Sequence, residues 1–262
     1  MLRPRLIPCL LIENKGLVKT VNFKDGRYVG DPINTVRIFN EKEVDELIVL
    51  DIGATRETRE PDYSLIERLA KECRMPLCYG GGIKTVRQAQ RIFGLGVEKI
   101  AIGSAAVEHI GLVTETAERV GSQSVIIVID VKKRSLGPGY DVWIDNGSTN
   151  TGRDSSEFVI DMEKAGAGEI VVNSIDRDGT MQGYDLDLIE EIRRSVSLPI
   201  TALGGAGSLG DIQQLIARFG IIGAAAGSLF VFKGIYRAVL VNYPSRAERD
   251  RLIGDIVQDR AF

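Results

Sequence analysis

A chain of 262 residues with 33 basic and 36 acidic side chains, a formal net charge of −3 and 44% hydrophobic residues has material for one sizeable core. That balance gives no support to nucleic acid or an anionic membrane as partner, and no apolar run approaches the length of a membrane span. The basic start Met1-Leu2-Arg3-Pro4-Arg5-Leu6 leads into an apolar run too short for a signal sequence, so a cytoplasmic protein is expected.

Short β-branched runs alternate with amphipathic segments along the whole chain. Strands are predicted over Arg5–Ile12, Glu46–Asp51, Pro76–Tyr79 and Lys99–Ile102, with helices over Pro32–Glu43, Tyr63–Cys73, Val86–Phe93 and Gly111–Val120. Ser124–Asp130 opens a second half. It is followed by a helix over Ser155–Ala165, a strand over Glu169–Asn173, a helix over Leu186–Ser195, strands over Pro199–Leu203 and Ile221–Ala226, and a closing helix over Ala247–Val257. Glu13–Asp31 and Val131–Asp154 read as long loops after the first and fifth strands. Cys9, Cys73 and Cys78 read as free thiols rather than a disulfide or zinc site, His109 as a surface residue, and no cofactor or metal is expected.

Eight βα units mean a parallel sheet with helical crossovers. Leu203-Gly204-Gly205-Ala206-Gly207-Ser208 leads through a helix to Ala226-Gly227-Ser228, and Tyr79-Gly80-Gly81-Gly82-Ile83 leads likewise to Ile102-Gly103-Ser104. Gly80 to Gly204 spans the same length as Ser104 to Ser228, and Gly81, Gln90, Ile92, Gly96 and Ala101 fall on Gly205, Gln214, Ile216, Gly220 and Ala225 in that register. Two like halves, about 1–122 and 123–262, favour a single (β/α)8 TIM barrel over an open doubly wound sheet. Glycine turns let backbone N–H groups approach a ligand, so each half carries a candidate anion cradle. The active face of such a barrel is the C-terminal end of its strands, which makes Asp51, Asp130, Asn173, Ser174, Asp176, Asp178 and Thr201 candidates there. Any one of these aspartates has a bland alternative as a turn or N-cap residue. Several converging between two anion cradles suggest an elongated phosphorylated substrate and carboxylate acid–base chemistry.

Pro8-Cys9-Leu10, Ile48-Val49-Leu50-Asp51-Ile52, Tyr79–Ile83, Ser104-Ala105-Ala106-Val107, Gly121-Ser122-Gln123, Ser174-Ile175-Asp176-Arg177-Asp178-Gly179-Thr180 and Gly204-Gly205-Ala206-Gly207 together resemble the cyclase subunit of imidazole glycerol phosphate synthase, the HisF type. The resemblance covers nearly the whole chain. It implies a glutaminase partner at the barrel bottom, ammonia crossing the barrel, and a bis-phosphorylated substrate cleaved and cyclised at the top. It carries phosphate sites onto Gly82, Gly103 and Ser104 and onto Gly205, Gly227 and Ser228. Lys19 becomes a mobile-loop substrate contact, and Asp51 and Asp176 become substrate-side residues. Arg5, Glu46, Lys99 and Glu169 fall on the family's ammonia gate, and Glu98 on an acidic residue that helps dock the glutaminase.

Asp130 matches one of the family's two catalytic aspartates, and Leu11 stands where the other is expected. A leucine neither takes nor gives a proton, and Glu13, two residues on, is out of place to substitute. Gly103 replaces an asparagine, Leu203 replaces a small polar residue, and the loop around Ser135–Tyr140 is longer and carries glycine. A retained gate with altered chemistry resembles a subgroup from surface-polysaccharide gene clusters, where ammonia serves a sugar amidotransferase. Gly16-Leu17-Val18-Lys19-Thr20-Val21 and Ala226-Gly227-Ser228-Leu229-Phe230-Val231-Phe232 are among the segments closest to it. Three readings stand at this point: ammonia delivery for sugar amidation, an authentic histidine-pathway lyase, and a non-catalytic structural partner.

Overall fold

The computed structural model describes residues 3–259, with side chains as far as residue 254, so Met1 and Leu2 of the basic start lie outside the described residues. The strands in chain order are β1 (Arg5–Glu13), β2 (Gly16–Val21), β3 (Lys24–Gly30), β4 (Leu47–Asp51), β5 (Leu77–Gly80), β6 (Lys99–Ile102), β7 (Val125–Lys133), β8 (Tyr140–Ile144), β9 (Thr149–Asp154), β10 (Glu169–Ser174), β11 (Ile200–Leu203) and β12 (Gly223–Ala226), followed by the short pair β13 (Phe232–Lys233) and β14 (Ala238–Val239). Eight of them pair in parallel and close on themselves in the order β1, β4, β5, β6, β7, β10, β11, β12 and back to β1. This is the (β/α)8 barrel expected, and closure leaves those eight strands no free edge.

The alternation of side chains along each strand sorts the sequence into two cores. On β1, Leu6, Leu10 and Ile12 point out to meet the helices, while Ile7 and Cys9 point in. The inner cluster of Ile7, Cys9, Ile48, Cys78, Ala101, Ile126, Val171, Leu203 and Ala225 fills the barrel axis, with Leu11, Leu50 and Val128 packed on its upper side. Complete burial of a residue such as Ile7 is worth about 1.5–3 kcal/mol, so the helix layer and the axis are both held by apolar packing. Six of the longer helices start where side-chain caps satisfy their first N–H groups. Asp31, Asp62, Asp154 and Asp185 accept from N–H groups two or three residues on, and Thr85 and Ser208 form capping boxes.

The two segments expected as long loops are instead antiparallel hairpins, β2–β3 and β8–β9, which extend β1 and β7 above the barrel rim. Leu17-Val18-Lys19-Thr20-Val21 is strand-forming, and Asn22 and Phe23 turn with φ of 49° and 63°, while Asp145 and Asn146 turn with 53° and 55°. Two positive φ values in succession are what a tight hairpin turn demands. Short helices at Ile52–Arg56, Ser104–Glu108 and Ser228–Val231, absent from the sequence reading, follow β4, β6 and β12 directly. Among the described residues no helix is long and apolar enough to cross a membrane, and Cys9, Cys73 and Cys78 are free. His109 is exposed between two helices.

Candidate active site and the charged ring beneath it

Both glycine turns lie at the C-terminal ends of the barrel strands and face one cavity of about 280 Å³. One side is lined by Gly81, Gly82, Gly103 and Ser104, the other by Gly204, Gly205, Gly227 and Ser228, with Leu11, Lys19, Asp130, Asn173 and Asp178 between them. The glycines are required by close approach. At Gly205, φ is +100° and a Cβ would lie 2.2 Å from the Gly183 carbonyl oxygen, whose N–H in turn donates to Gly205 O at 2.8 Å. Gly205→Ala is therefore expected to cost about 1–3 kcal/mol of stability or more, read as a lower urea midpoint with an unchanged slope.

Asp130 faces inward from β7 and accepts a 2.9 Å hydrogen bond from Asn173 Nδ2 on the neighbouring β10. Burial pushes its carboxyl up to about 7; the Asn173 bond opposes that shift and the nearby Asp178 charge adds to it. A folded-state value above the ordinary 3.8 means that the folded protein holds this proton more tightly than the unfolded chain does. The group's contribution is then full below about pH 4 and is lost as pH rises through about 7. Asp130→Asn is expected to gain stability relative to wild type at pH 8, with the difference shrinking towards pH 4 in parallel urea titrations.

Leu11 is half-buried opposite Leu50 in the β1–β4 register and opens onto the same cavity. Glu13, two residues on, is held by Arg56 at 2.8 Å and lies outside the cavity lining. Lys19 is almost fully buried, with Nζ donating to the Cys9 carbonyl at 2.6 Å and lying against Gly227. Burial lowers its affinity for a proton, against the pull of Cys9 and Asp178. Asp51 is buried and lines the cavity, but its Oδ1 caps the Ile52–Arg56 helix at Ala54 N, 2.9 Å away.

Two candidates are placed elsewhere than the sequence reading put them. Asp176 is exposed, accepts from Lys133 N at 2.9 Å and is absent from the cavity wall; the carboxylate that reaches the cavity is Asp178, two residues on. The turn after β10 causes this, because Asp178 takes 2.7 Å and 3.1 Å bonds from Thr20 Oγ1 and Phe23 N on the β2–β3 hairpin. Thr201 lies near the start of β11 rather than its end, and its hydroxyl donates to Glu169 Oε1 at 2.5 Å at the opposite mouth. Asn173 and Asp178 are the residues whose importance at the cavity the motif reading understated. The signal for Asn173 was its register on β10 opposite Asp130.

At the N-terminal end of the strands, Arg5, Glu46, Lys99 and Glu169 form a closed ring of four ion pairs. Arg5 bonds Glu46 and, at 2.7 Å, Glu169; Lys99 bonds Glu46 at 2.7 Å and Glu169 at 3.3 Å. Burial alone would raise the Glu169 carboxyl, but Arg5, Lys99 and the Thr201 hydroxyl outweigh it and hold it below the usual range. Glu98 is exposed beside this ring, with Oε2 accepting from Leu77 N at 2.9 Å.

The fold and the cavity define a TIM-barrel protein with glycine-turn walls and an acidic group between them. The sequence profile of the family described as "Histidine biosynthesis protein" matches residues 5–236. A protein of Vibrio vulnificus, provisionally named imidazole glycerol phosphate synthase subunit hisF3, is 56% identical over 97% of both chains. One of Pseudomonas aeruginosa, with the same provisional name ending in hisF2, is 53% identical over 93% of this chain and 97% of its own. The imidazole glycerol phosphate synthase subunit HisF of Lactococcus lactis is 40% identical over 88% and 89%. The chain belongs to the HisF-type imidazole glycerol phosphate synthase subunit family.

Proposed function

We propose that this chain receives ammonia from a glutaminase partner at the Arg5–Glu46–Lys99–Glu169 ring. It passes that ammonia up the barrel for amidation of a surface-polysaccharide sugar by a separate amidotransferase, rather than cyclising imidazole glycerol phosphate itself. The observation that carries this reading is Leu11. Of the acids that line the cavity, Asp130 is the one matched to a catalytic aspartate of the family, and an apolar side chain stands where the resemblance expects its partner.

The inner core supports the transport half of the reading. Above the ring the axis is lined by apolar side chains and buried thiols, an environment that admits neutral ammonia and penalises ammonium. Glu98 at the exposed rim is offered as a contact for the partner. The cavity walls are proposed as two phosphate cradles, with Gly82, Gly103 and Ser104 on one side and Gly205, Gly227 and Ser228 on the other. Lys19 and Asp51 are substrate-side groups in this reading, and Asp178 takes the place first given to Asp176. The two halves are further proposed to be repeats; Gly81 and Gly205 share φ of +120° and +100°, and Gly96 and Gly220 share +97° and +74°.

The deciding experiment supplies ammonium and the bis-phosphorylated family substrate to the purified chain and follows cyclised product. No turnover above background supports ammonia delivery. Clear turnover makes the chain an authentic histidine-pathway lyase and overturns the proposal.

A further inference from the structure

The two cradles are built alike in sequence but are furnished differently. At the first, the β8–β9 hairpin tip is already seated: Asp145 N donates to Ser104 Oγ at 3.1 Å, and Asn146 Nδ2 donates to the Ile52 carbonyl at 2.8 Å. Asp145 and Glu108 line the cavity there beside Asp51, whose Oδ1 is occupied by Ala54 N, with Lys84 on the same side, while the other rim cation, Arg56, is engaged by Glu13. At the second, the Lys19 ammonium lies so close to Gly227 that a Cβ on that residue would meet Nζ at 2.3 Å. Ser228 is buried in the cavity wall, and its hydroxyl has no hydrogen-bond partner among the described residues. Asp178 is the acid near Lys19, and it is tied by Thr20 and Phe23.

We infer that this cavity takes one phosphate, at Gly205, Gly227 and Ser228 beside Lys19, and that Asp145 and Glu108 disfavour a second at Ser104, so that its ligand is a monophosphate rather than a bisphosphate. A dianion entering the first cradle sits beside the Asp145 and Glu108 carboxylates, each of which opposes it in a partly dehydrated site. A dianion entering the second meets a buried cation whose desolvation it relieves. The tip of the first hairpin reinforces this asymmetry, because Phe23 packs where a side chain at Gly147 would fall, and so holds the second hairpin down over Ser104.

This inference rests on the cradles being phosphate sites. The test is a ¹⁵N-amide NMR titration of the full chain with inorganic phosphate at constant ionic strength, with chloride as control. The expected result is half-saturation at Gly205, Gly227 and Ser228 at a phosphate concentration at least tenfold below that at Gly103 and Ser104. The Asp145→Asn, Glu108→Gln double variant is expected to lower the first-cradle midpoint several-fold and leave the second where it was. Equal midpoints in the wild type, or a double variant with no change at Ser104, overturn the asymmetry and leave the cradles standing. Phosphate-specific shifts at neither cradle overturn both.

Discussion

At substrate concentrations high enough to offset the weak first cradle at Ser104, Leu11→Asp is expected to raise ammonia-dependent cyclisation of the bis-phosphorylated family substrate from background by about 10²- to 10⁴-fold, the range over which one general acid or base acts. The substitution places a carboxyl on β1 at the level of Leu50 and across the cavity from Asp130, whose own carboxyl burial has pushed up to about 7. Leu11 is only half-buried and opens onto the cavity, so an aspartate there can be hydrated and the barrel should tolerate it. A gain confined to the variant means that the pocket kept its shape and lost one chemical group. Equal turnover in both proteins means that the second carboxyl is dispensable, which removes the main support for ammonia delivery to another enzyme. If both are inactive while a circular dichroism melt shows the variant folded, Leu11 is not the sole block; the weak first cradle at Ser104 is then the next difference to reverse.

The second large effect is expected at the ring. Glu169→Gln removes one of two carboxylates that hold Arg5 and Lys99, leaving a partly buried site with excess positive charge. Removing one member of a buried ion pair costs 3–5 kcal/mol; with Arg5 and Lys99 side chains 28% and 20% exposed, a loss of about 3 kcal/mol is expected. The Thr201 bond can survive on the glutamine carbonyl, so the loss should come from charge. Combining Glu169→Gln with Lys99→Met restores neutrality around Arg5 and Glu46 and should recover much of that loss in a double-mutant cycle. Additive losses would show that the four groups do not act as a ring.

The same pair sets a pH signature. Glu169 is held below its ordinary 4.5, so the folded state resists protonation there more than the unfolded chain. Its stabilisation is present above about pH 4.5 and is lost as pH falls through the lower folded value. Acid unfolding should therefore be shallower for Glu169→Gln than for wild type. In a reconstituted complex, the Lys99→Met variant should lower glutamine-dependent output while output from added ammonium is retained. Equal loss on both nitrogen sources would place the defect in the fold rather than in transfer.

Much of the molecule was legible in the chain itself, for reasons that are local. Period-two runs such as Arg5–Ile12 and helical runs such as Leu186–Ser195 report one face buried, and eight alternations of the two leave few ways to close a sheet. The glycine turns were visible because a positive φ or a carbonyl at 2.2 Å excludes a side chain, as at Gly205. Leu11 was visible because a missing carboxyl within an otherwise matching strand is a chemical fact about one position. Local chemistry did not reveal which loops fold into hairpins, because Lys19 and Asp145 take their places from strands pairing above the rim with β1 and β7. Nor could it separate Asp176 from Asp178, two acids in one motif, until the bonds from Thr20 and Phe23 drew only the second inward. Thr201 was assigned to the wrong mouth because its height depends on the stagger between β10, β11 and β12, which sets it beside Glu169. Composition and periodicity thus determined the barrel and its chemical inventory. Strand stagger and hairpin docking, which join residues far apart in the chain, decided which of those groups share a cavity and with what charge.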